Sequence, residues 1–458
     1  MSKSDFYAID LFAGCGGLSE GFIQAGFNVI GEIESDRWAC ETLRTRHTAY
    51  HLKKLKKSYI YHMIMKEQID KDEIFRRYDD IAESVSLSVI EEAFEKIDEP
   101  VIKNKIEMSR KFHRAPKFHV LLGGPPCQPY SIVGRARDPE RKENDERHFL
   151  YKYYIDILEA LEPDFFVYEN VPGLFTARVK GEKILERILN DFSLLHPSYQ
   201  IMPSLEQIYE DPGSYVLNAA DFLVPQRRKR LILIGYKKSL DRYNKDIINL
   251  FKNIQERGKI NREKGYLTVD DAIGDLNPLK PGEGSDGWLG EYHLNSGLKK
   301  YQVEMRNNSI GVMNHKARNH MESDLERYKF FIEYYDKYDK EPNLNTLKMK
   351  RPDLLPAHRH LDKFIDRFKV QWWNNPASTI TAHISKDGHH YIHPDLSQCR
   401  TFTVREAARC QSFPDDFKFE GPRTEQFKQV GNAVPPRLAR FIGQSIMDEL
   451  IKIYGNQR

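Results

Sequence analysis

The chain has few cysteines, no long apolar run and almost no net charge, and each shortage excludes a class of protein. Its five cysteines are odd in number and include no Cys-x-x-Cys pair, which argues against a disulfide framework and a thiolate zinc site. No apolar stretch reaches the roughly 20 residues that a membrane-spanning helix needs. The 70 Lys and Arg nearly balance the 67 Asp and Glu, so a polyanion site must be a local patch.

The length and the N-terminal sequence bound the class of protein further. A chain of 458 residues predicts about two to four domains. The opening Met-Ser-Lys-Ser-Asp runs directly into an apolar segment and shows no signal-peptide pattern. We therefore expect a reduced, cytoplasmic protein without membrane attachment.

The stretch Val120–Ser131 combines an apolar strand with a rigid loop that carries a cysteine. Residues 120–122 predict a buried strand of a parallel sheet, and Gly-Gly-Pro-Pro ends it just before Cys127. In open α/β sheets, ligands bind beyond the carboxyl ends of the strands. Cys127 is therefore placed to react, although a lone cysteine is more often a small buried hydrophobic residue.

The N-terminal segment has the order of elements that is typical of a nucleotide-binding βαβ unit. A short apolar strand, Tyr7–Phe12, leads into the glycine turn Ala13–Gly17. A helix over 18–25 and a second strand ending at Glu34 follow. The glycine spacing is not Gly-x-Gly-x-x-Gly, and no phosphate-loop lysine is present. Because Glu34 can accept hydrogen bonds from two ribose hydroxyls, the pattern fits S-adenosylmethionine better than a dinucleotide.

Two further strand ends carry charged side chains. A predicted apolar strand ends near Glu169, so Glu169 follows the carboxyl end of a strand, as Cys127 does. A basic segment runs into the next apolar strand, and Arg228 and Arg230 share one face if the strand has begun there. Taken alone, these groups are more simply explained as a buried glutamate satisfied by backbone and a solvated basic surface.

Two long segments depart from the alternation of strands and helices. Residues 46–118 lack glycine, are rich in charged residues and predict several charged helices inserted between two strands. Residues 237–394 contain a predicted loop at 282–287, a predicted aromatic-rich helix at 325–338 and four clustered histidines. The histidines have no cysteine nearby and favour a polar loop over a metal site, so we expect no bound metal.

Six motifs resemble, in family order, those of the DNA (cytosine-5-)-methyltransferase family of bacterial restriction-modification systems. They are Asp10–Gly17, Gly124–Gln128, Glu169–Val171, Gln226–Arg230, Arg405–Gln411 and Gln429–Pro436. Each motif is weak alone, whereas six in the same order are very specific. The resemblance covers residues 5–46, 118–236 and about 376–445.

The resemblance implies an α/β fold with a doubly wound, mostly parallel sheet and a second, smaller target-recognition domain. The catalytic domain would span 1–236, with the charged helical insertion at 46–118. The target-recognition domain would span 237–394, and residues 395–458 would return to the catalytic domain. The expected partners are double-stranded DNA and a cognate restriction endonuclease, and we expect a monomer in a prokaryotic cytosol or nucleoid.

The resemblance also implies the cofactor, S-adenosylmethionine, and roles for individual residues. Cys127 would add to carbon 6 of cytosine so that carbon 5 can take the methyl group, while Glu169 stabilises ring nitrogen 3. Arg228 and Arg230 would hold the glutamate, the base oxygen or the target phosphate. The target base must leave the duplex to reach these groups. The expected cofactor-binding residues are Phe12, Ala13, Gly14, Gly16, Gly17, Glu34, Pro125 and Asn432.

Two departures from the family pattern leave the adenine contacts open. The family often has a bulky apolar residue after the ribose carboxylate, where this chain has Ser35. The family's third acid, which contacts the adenine, has no convincing match among Asp79, Asp80 and Asp98.

Three other functions stay open from the sequence. The family has a branch that methylates tRNA with the same motifs, although the long variable region favours DNA. A DNA-binding protein that has lost catalysis would lack the reacting residues, yet Cys127, Glu169 and Arg230 are present. A nicotinamide oxidoreductase is suggested only by the glycine turn and leaves the Pro-Pro-Cys-Gln loop unexplained.

Overall fold

The computed structural model describes residues 6–126, 149–179, 181–196, 198–202, 210–356 and 365–455. Its strands are β1 (Tyr7–Leu11), β2 (Asn28–Glu34), β3 (Val89–Glu91), β4 (Val120–Gly123), β5 (Phe165–Asn170), β6 (Arg178–Val179), β7 (Glu182–Lys183), β8 (Tyr199–Met202), β9 (Val216–Asn218), β10 (Lys229–Lys237), β11 (Gly284–Gly290) and β12 (Val312–Lys316). Its helices are α1 (Gly17–Ala25), α2 (Arg37–Lys54), α3 (Ser58–Met65), α4 (Lys71–Arg77), α5 (Asp79–Ser88), α6 (Glu99–Phe112), α7 (Leu150–Leu161), α8 (Ile184–Ser193), α9 (Leu250–Glu263), α10 (Val269–Ile273), α11 (Lys300–Met305), α12 (Glu322–Tyr338), α13 (Leu344–Lys350), α14 (Val404–Cys410), α15 (Arg423–Asn432) and α16 (Pro436–Gly455).

The centre of the structure is an eight-stranded sheet in the order β3-β2-β1-β4-β5-β10-β8, with β9 also paired to β10. The first five strands of this order are parallel, whereas β10 runs antiparallel to β5, β8 and β9. The strand order reverses between β1 and β4, and the crevice at such a reversal is where α/β proteins bind ligands. The predicted doubly wound, mostly parallel sheet is confirmed.

Both faces of this sheet are covered by helices, which explains why its strands are nearly continuous apolar runs. One face packs against α6, α7 and α8, and the other against α1, α9 and α16. The crossing of α1 and α16 is so close that a Cβ on Gly21 would collide with Ala439. Gly26 ends α1 in the left-handed conformation, with φ of 107°, at the position that the sequence predicts.

The charged segment 46–118 differs from its prediction as a helical insertion. Helices α3, α4 and α5 are present as expected, but Val89–Glu91 forms β3 and pairs in parallel with β2. Helix α6 also packs on the central sheet. Three residues directly after a helix are too few for a strand to be recognised from its apolar pattern. The segment therefore supplies part of the sheet.

Residues 237–394 pack in three ways. Helix α9 lies on the central sheet, whereas α10, α11 and β12 share an apolar cluster with α14. Helices α12 and α13 form a separate cluster with Phe368 and Trp372. The predicted loop at 282–287 is mostly strand β11, paired antiparallel with β12. Within the described ranges, no helix is both long enough and apolar enough to cross a membrane.

Candidate active site

A pocket of about 540 Å³ opens at the carboxyl ends of β1, β2, β4 and β5. Pockets of about 300–1,000 Å³ are typical of small-molecule and cofactor sites. The predicted site residues that line it are Phe12, Ala13, Gly14, Glu34, Pro125, Glu169, Arg230 and Asn432. Cys127 lies outside the described residues, but Pro126, which precedes it, lines the same pocket.

Gly16 and Gly17 do not line this pocket and instead allow close packing of the glycine turn. Gly16 has φ of 85°, and a Cβ there would lie 2.6 Å from Leu43 Cδ2. A Cβ on Gly17 would collide with the carbonyl oxygen of Val434. These two glycines therefore fit the turn against α2 and against the segment after α15.

Glu34 is fixed at the end of β2 by three backbone N–H groups. Gly14, which has φ of 56°, donates to Oε2 at 2.8 Å. The N–H groups of Ser35 and Asp36 donate to Oε1 at 2.7 and 2.8 Å. Burial raises the pKa of Glu34, and the three donors oppose that shift. The Ser35 hydroxyl also lies 3.3 Å from Oε1, whereas Oε2 accepts from Gly14 and has a second lone-pair direction for a ligand hydroxyl.

Glu169 forms a largely buried ion pair with Arg230 on the neighbouring strand. Arg230 Nε lies 2.7 Å from Glu169 Oε1, and the two side chains are 11% and 13% exposed. Burial raises the pKa of Glu169, while Arg230 and then Arg228 lower it. A Cβ on Gly124 would lie 2.7 Å from Glu169 Oε2, so a larger residue there would displace the carboxylate that Arg230 holds.

Arg228 is fully buried and does not line the pocket. Its guanidinium donates to the carbonyl oxygens of Ile380 and Gly431, the latter at 2.9 Å. These bonds link the segment just before β10 to the backbone at Ile380 and near the end of α15. Arg228 was predicted to hold Glu169, the base oxygen or the target phosphate; it lies outside the pocket lining, and its charge lowers the pKa of Glu169.

Several lining residues were missed by the sequence analysis. Phe94, in a 3-10 turn after β3, is 4.7 Å from Phe12 between ring centroids and forms an aromatic wall. Glu92 and Glu95 also line the pocket. A single phenylalanine among charged residues gives no signal that would have singled it out. Asp10 was only part of a motif, yet it is 1% exposed at the base of the pocket.

The three acids considered for the adenine contact lie elsewhere, and none lines the pocket. Asp79 and Asp80 are in the first turn of α5, and Asp98 is the residue before α6. Because β3 ends at Glu91, residues 92–95 lie at the carboxyl edge of the sheet and line the pocket. The three acids lie at the starts of α5 and α6 and do not reach this edge.

The clustered histidines are engaged in protein contacts. His389 Nδ1 lies 2.7 Å from the Tyr328 hydroxyl, and His393 Nε2 lies 3.6 Å from Glu406 Oε1. Within the part of the chain that the structure describes, no group of three His, Cys, Asp or Glu side chains is arranged to hold a metal ion.

Known proteins match nearly the whole chain. The family model of C-5 cytosine-specific DNA methylases matches residues 6–74 and 79–448. Type II methyltransferase M.Bpa9945I of Bacillus paralicheniformis is 40% identical over 457 residues, covering 96% of this chain and 98% of that protein. Type II methyltransferase M.DdeI of Desulfomicrobium norvegicum is 29% identical over 448 residues, covering 96% of this chain and 88% of that protein.

A solved structure shows the same fold. It is a prophage-encoded E. coli protein described as a DNA modification methyltransferase, with a TM-score of 0.59 and 23% identity. The match covers 97% of this chain and 99% of that one. The family and enzyme class predicted from the six motifs are confirmed: the chain belongs to the C-5 cytosine-specific DNA methylase family and is a DNA (cytosine-5-)-methyltransferase.

Proposed function

We propose that this protein transfers a methyl group from S-adenosylmethionine to carbon 5 of a flipped-out cytosine in a specific sequence of double-stranded DNA. Two relatives are named type II methyltransferases, which supports a place in a bacterial restriction-modification system beside a cognate endonuclease. Such a protein works in the cytoplasm. We propose that it acts as a monomer.

One observation carries the proposal: a single pocket extends from Glu34 to the Glu169–Arg230 pair. A ligand held by Glu34 therefore shares a continuous space with the buried carboxyl group. Pro125 and Pro126 line the same space and lead directly to Cys127. Methyl transfer requires the methyl donor and the base bound to the cysteine to meet in one space, and this pocket supplies that space.

The pocket fits the nucleoside part of S-adenosylmethionine. The fixed carboxylate of Glu34 is suited to the ribose hydroxyls, and the wall formed by Phe12 and Phe94 is suited to the adenine ring. Phe94 would thus supply the stacking surface that Ser35 does not. The amino-acid end would lie toward the glycine turn and Asn432. When bound, S-adenosylmethionine supplies a methyl group that is electrophilic because it is attached to a sulfonium.

The protein side chains make the cytosine reactive. The Cys127 thiolate forms a bond to carbon 6, and the electron pair displaced toward ring nitrogen 3 is stabilised by the protonated Glu169 carboxyl. The raised pKa of Glu169 supports its holding that proton. Arg230 orients the carboxyl group. After carbon 5 has gained the methyl group, it loses its proton to a base such as water, and the bond to Cys127 breaks.

Bisulfite sequencing of DNA tests this proposal. A plasmid from cells that express the protein should carry 5-methylcytosine at one recurring sequence, and the plasmid from cells that express Cys127→Ala should not. Methyl label in tRNA with none in DNA would contradict the DNA assignment. Absence of methylation in both nucleic acids, with folded protein and added S-adenosylmethionine, would contradict the proposed reaction.

A further inference from the structure

Asp10 is a buried acid at the base of the pocket. It is 1% exposed and lines the pocket together with Leu18 and Gly14. Ser19 on α1 donates a hydrogen bond to its Oδ2 at 2.7 Å. Among the residues that the structure describes, no lysine or arginine forms an ion pair with Asp10. A buried carboxylate without a counter-charge is costly, so this group favours either a proton or a cationic ligand.

The rest of the pocket is also acidic. Its acidic lining residues are Asp10, Glu34, Asp36, Glu92, Glu95, Glu169 and Glu425, and its basic ones are Arg230 and Lys428. Arg230 pairs with Glu169, and Lys428 pairs with Glu425 at 2.7 Å. Even with Asp10 and Glu169 protonated and Glu92 paired with Lys105, the remaining lining acids outnumber the two lining cations, so the surplus charge is negative. Such a pocket favours a positively charged ligand.

We propose that Asp10 is the counter-charge of the sulfonium form of the cofactor, and that it releases a proton when S-adenosylmethionine binds. S-adenosylhomocysteine, the product, has lost the sulfonium charge and would leave Asp10 protonated. The inference rests on the proposed function. It gives Asp10 a binding role that favours the methyl donor over the product, because only the donor stabilises the ionised carboxylate.

The surroundings of Asp10 support this assignment. Burial raises the pKa of Asp10 to about 8, the Ser19 hydrogen bond lowers it, and Glu32 and Glu34 on β2 raise it. Glu32 itself lies 2.5 Å from His47 on α2. Free Asp10 is thus mostly protonated at pH 7, and a nearby cation favours its ionisation.

Other groups that face Asp10 do not supply a competing charge. Burial raises the pKa of the Cys15 thiol well above neutrality, and Cys15 belongs to the glycine turn. Burial likewise raises the pKa of Tyr154, on α7, whose hydroxyl lies 3.0 Å from the Val167 carbonyl oxygen and 3.2 Å from that of Leu121. Across the pocket, Arg230 contacts the Glu169 carboxyl group and, among the described residues, forms no ion pair with Asp10.

Calorimetry measures the proton directly. S-adenosylmethionine and S-adenosylhomocysteine are each titrated into the full-length protein at pH 7 in two buffers of different ionisation enthalpy. Wild-type protein should release up to about one more proton with the donor than with the product. The α-amino groups of both ligands are mostly protonated at pH 7, so they contribute little to the difference.

Two variants, Asp10→Asn and Ser19→Ala, distinguish the effect of the Asp10 charge from the effect of its hydrogen bond to Ser19. Asp10→Asn keeps an acceptor for Ser19 but cannot ionise, so the difference in proton release should disappear, and the preference for the donor should fall about tenfold or more. Ser19→Ala keeps the carboxylate and should keep the difference. If Asp10→Asn fails to fold, the affinity of the wild-type protein for the donor relative to the product is measured at several pH values instead. This ratio should increase as the pH is raised toward 8, by up to about tenfold per pH unit.

The outcomes distinguish the two proposals. If neither ligand binds the wild-type protein, the proposed function fails and the inference with it. If both bind with equal proton release, or with a ratio that does not change with pH, the inference fails alone. A difference in proton release that persists in Asp10→Asn would also overturn it, because another group would then be titrating.

Discussion

Arg230 Nε and Glu169 Oε1 are 2.7 Å apart across two adjacent antiparallel strands, and little of either side chain is exposed. Such a pair is interdependent, because removing one partner leaves a buried charge that costs several kcal/mol. Burial raises the pKa of Glu169, whereas Arg230 lowers it. Because the pairing of β5 with β10 places Arg230 beside Glu169, it affects whether the carboxyl group keeps its proton. This position on β5 is therefore a sensitive test of the proposed mechanism.

Arg230→Ala should reduce the rate of methyl transfer by about 100-fold or more, the usual cost of removing one preorganised donor from an active site. Without the arginine, the pKa of Glu169 should rise further. The decline of activity at alkaline pH should therefore move to higher pH, as measured in single-turnover reactions. Lys237→Ala is a matched control, since Lys237 ends the same strand and pairs with the exposed Glu162. An unchanged profile in Arg230→Ala would refute the role of the pair.

Cys127→Ala should abolish methyl transfer while leaving binding of S-adenosylmethionine and DNA largely intact, because the thiol acts after both have bound. Wild-type protein should form a covalent complex with DNA that contains 5-fluorocytosine, since fluorine cannot leave carbon 5 as a proton does. The complex would be detected as a shifted band in a denaturing gel. Methylation by the alanine variant, or no trapping by active wild-type protein, would show that Cys127 is not the nucleophile.

Glu34→Ala should weaken binding of S-adenosylmethionine by about 1–3 kcal/mol, the range for lost hydrogen bonds to a charged group. Glu91 is a close control, because it pairs with Glu34 in register on β3 but does not line the pocket. Glu91→Gln should bind the cofactor like the wild-type protein in calorimetry. Equal affinities of the wild-type and Glu34→Ala proteins would place the ribose elsewhere.

The residues at the strand ends could be predicted from the sequence, whereas most of the remaining wall could not. Parallel strands have their carboxyl ends at one edge, so Glu34 and the loop before Cys127 were expected to meet. Phe94 depends on β3, which is too short to detect by its pattern. Arg228 was assigned by its motif to the reaction, but its carbonyl partners lie about 150–200 residues later and are set by tertiary packing.

Acid should destabilise the protein below about pH 6.5 through buried neutral histidines. Burial lowers the pKa of His315 to about 4, and both of its ring nitrogens are engaged, by Thr403 Oγ1 at 2.8 Å and the Asn277 carbonyl at 2.9 Å. Because its pKa is lower in the folded state, the unfolded chain takes up the proton first as the pH falls. The stability present above pH 6.5 is then lost toward pH 4, by on the order of 3 kcal/mol.

Urea unfolding at a series of pH values checks this prediction, with His315→Gln as the test variant. Glutamine offers a donor and an acceptor but does not titrate in this range, so the stability of the variant should depend less steeply on pH by about one proton. His62→Gln is the control, because His62 on α3 is only partly buried. Equal slopes in all three proteins would show that His315 does not contribute.

Target sequence should be chosen by the separate cluster around α12 and α13, and not by the whole of 237–394. Helix α9 packs on the central sheet, and the elements from α10 to β12 share a core with α14, so exchanging them would disturb the catalytic lobe. The α12–α13 cluster has its own apolar core. Replacing residues 322–372 with those of a relative of different specificity should therefore transfer the recognised sequence, because base contacts carry specificity. Bisulfite sequencing measures which sequence is methylated, and a second chimera that exchanges only the exposed residues 293–297 should keep the original sequence. If the first chimera is active on the original sequence, the reading residues lie outside this cluster, and helices α3–α5, which contact Trp288 and Met313, become the next region to exchange.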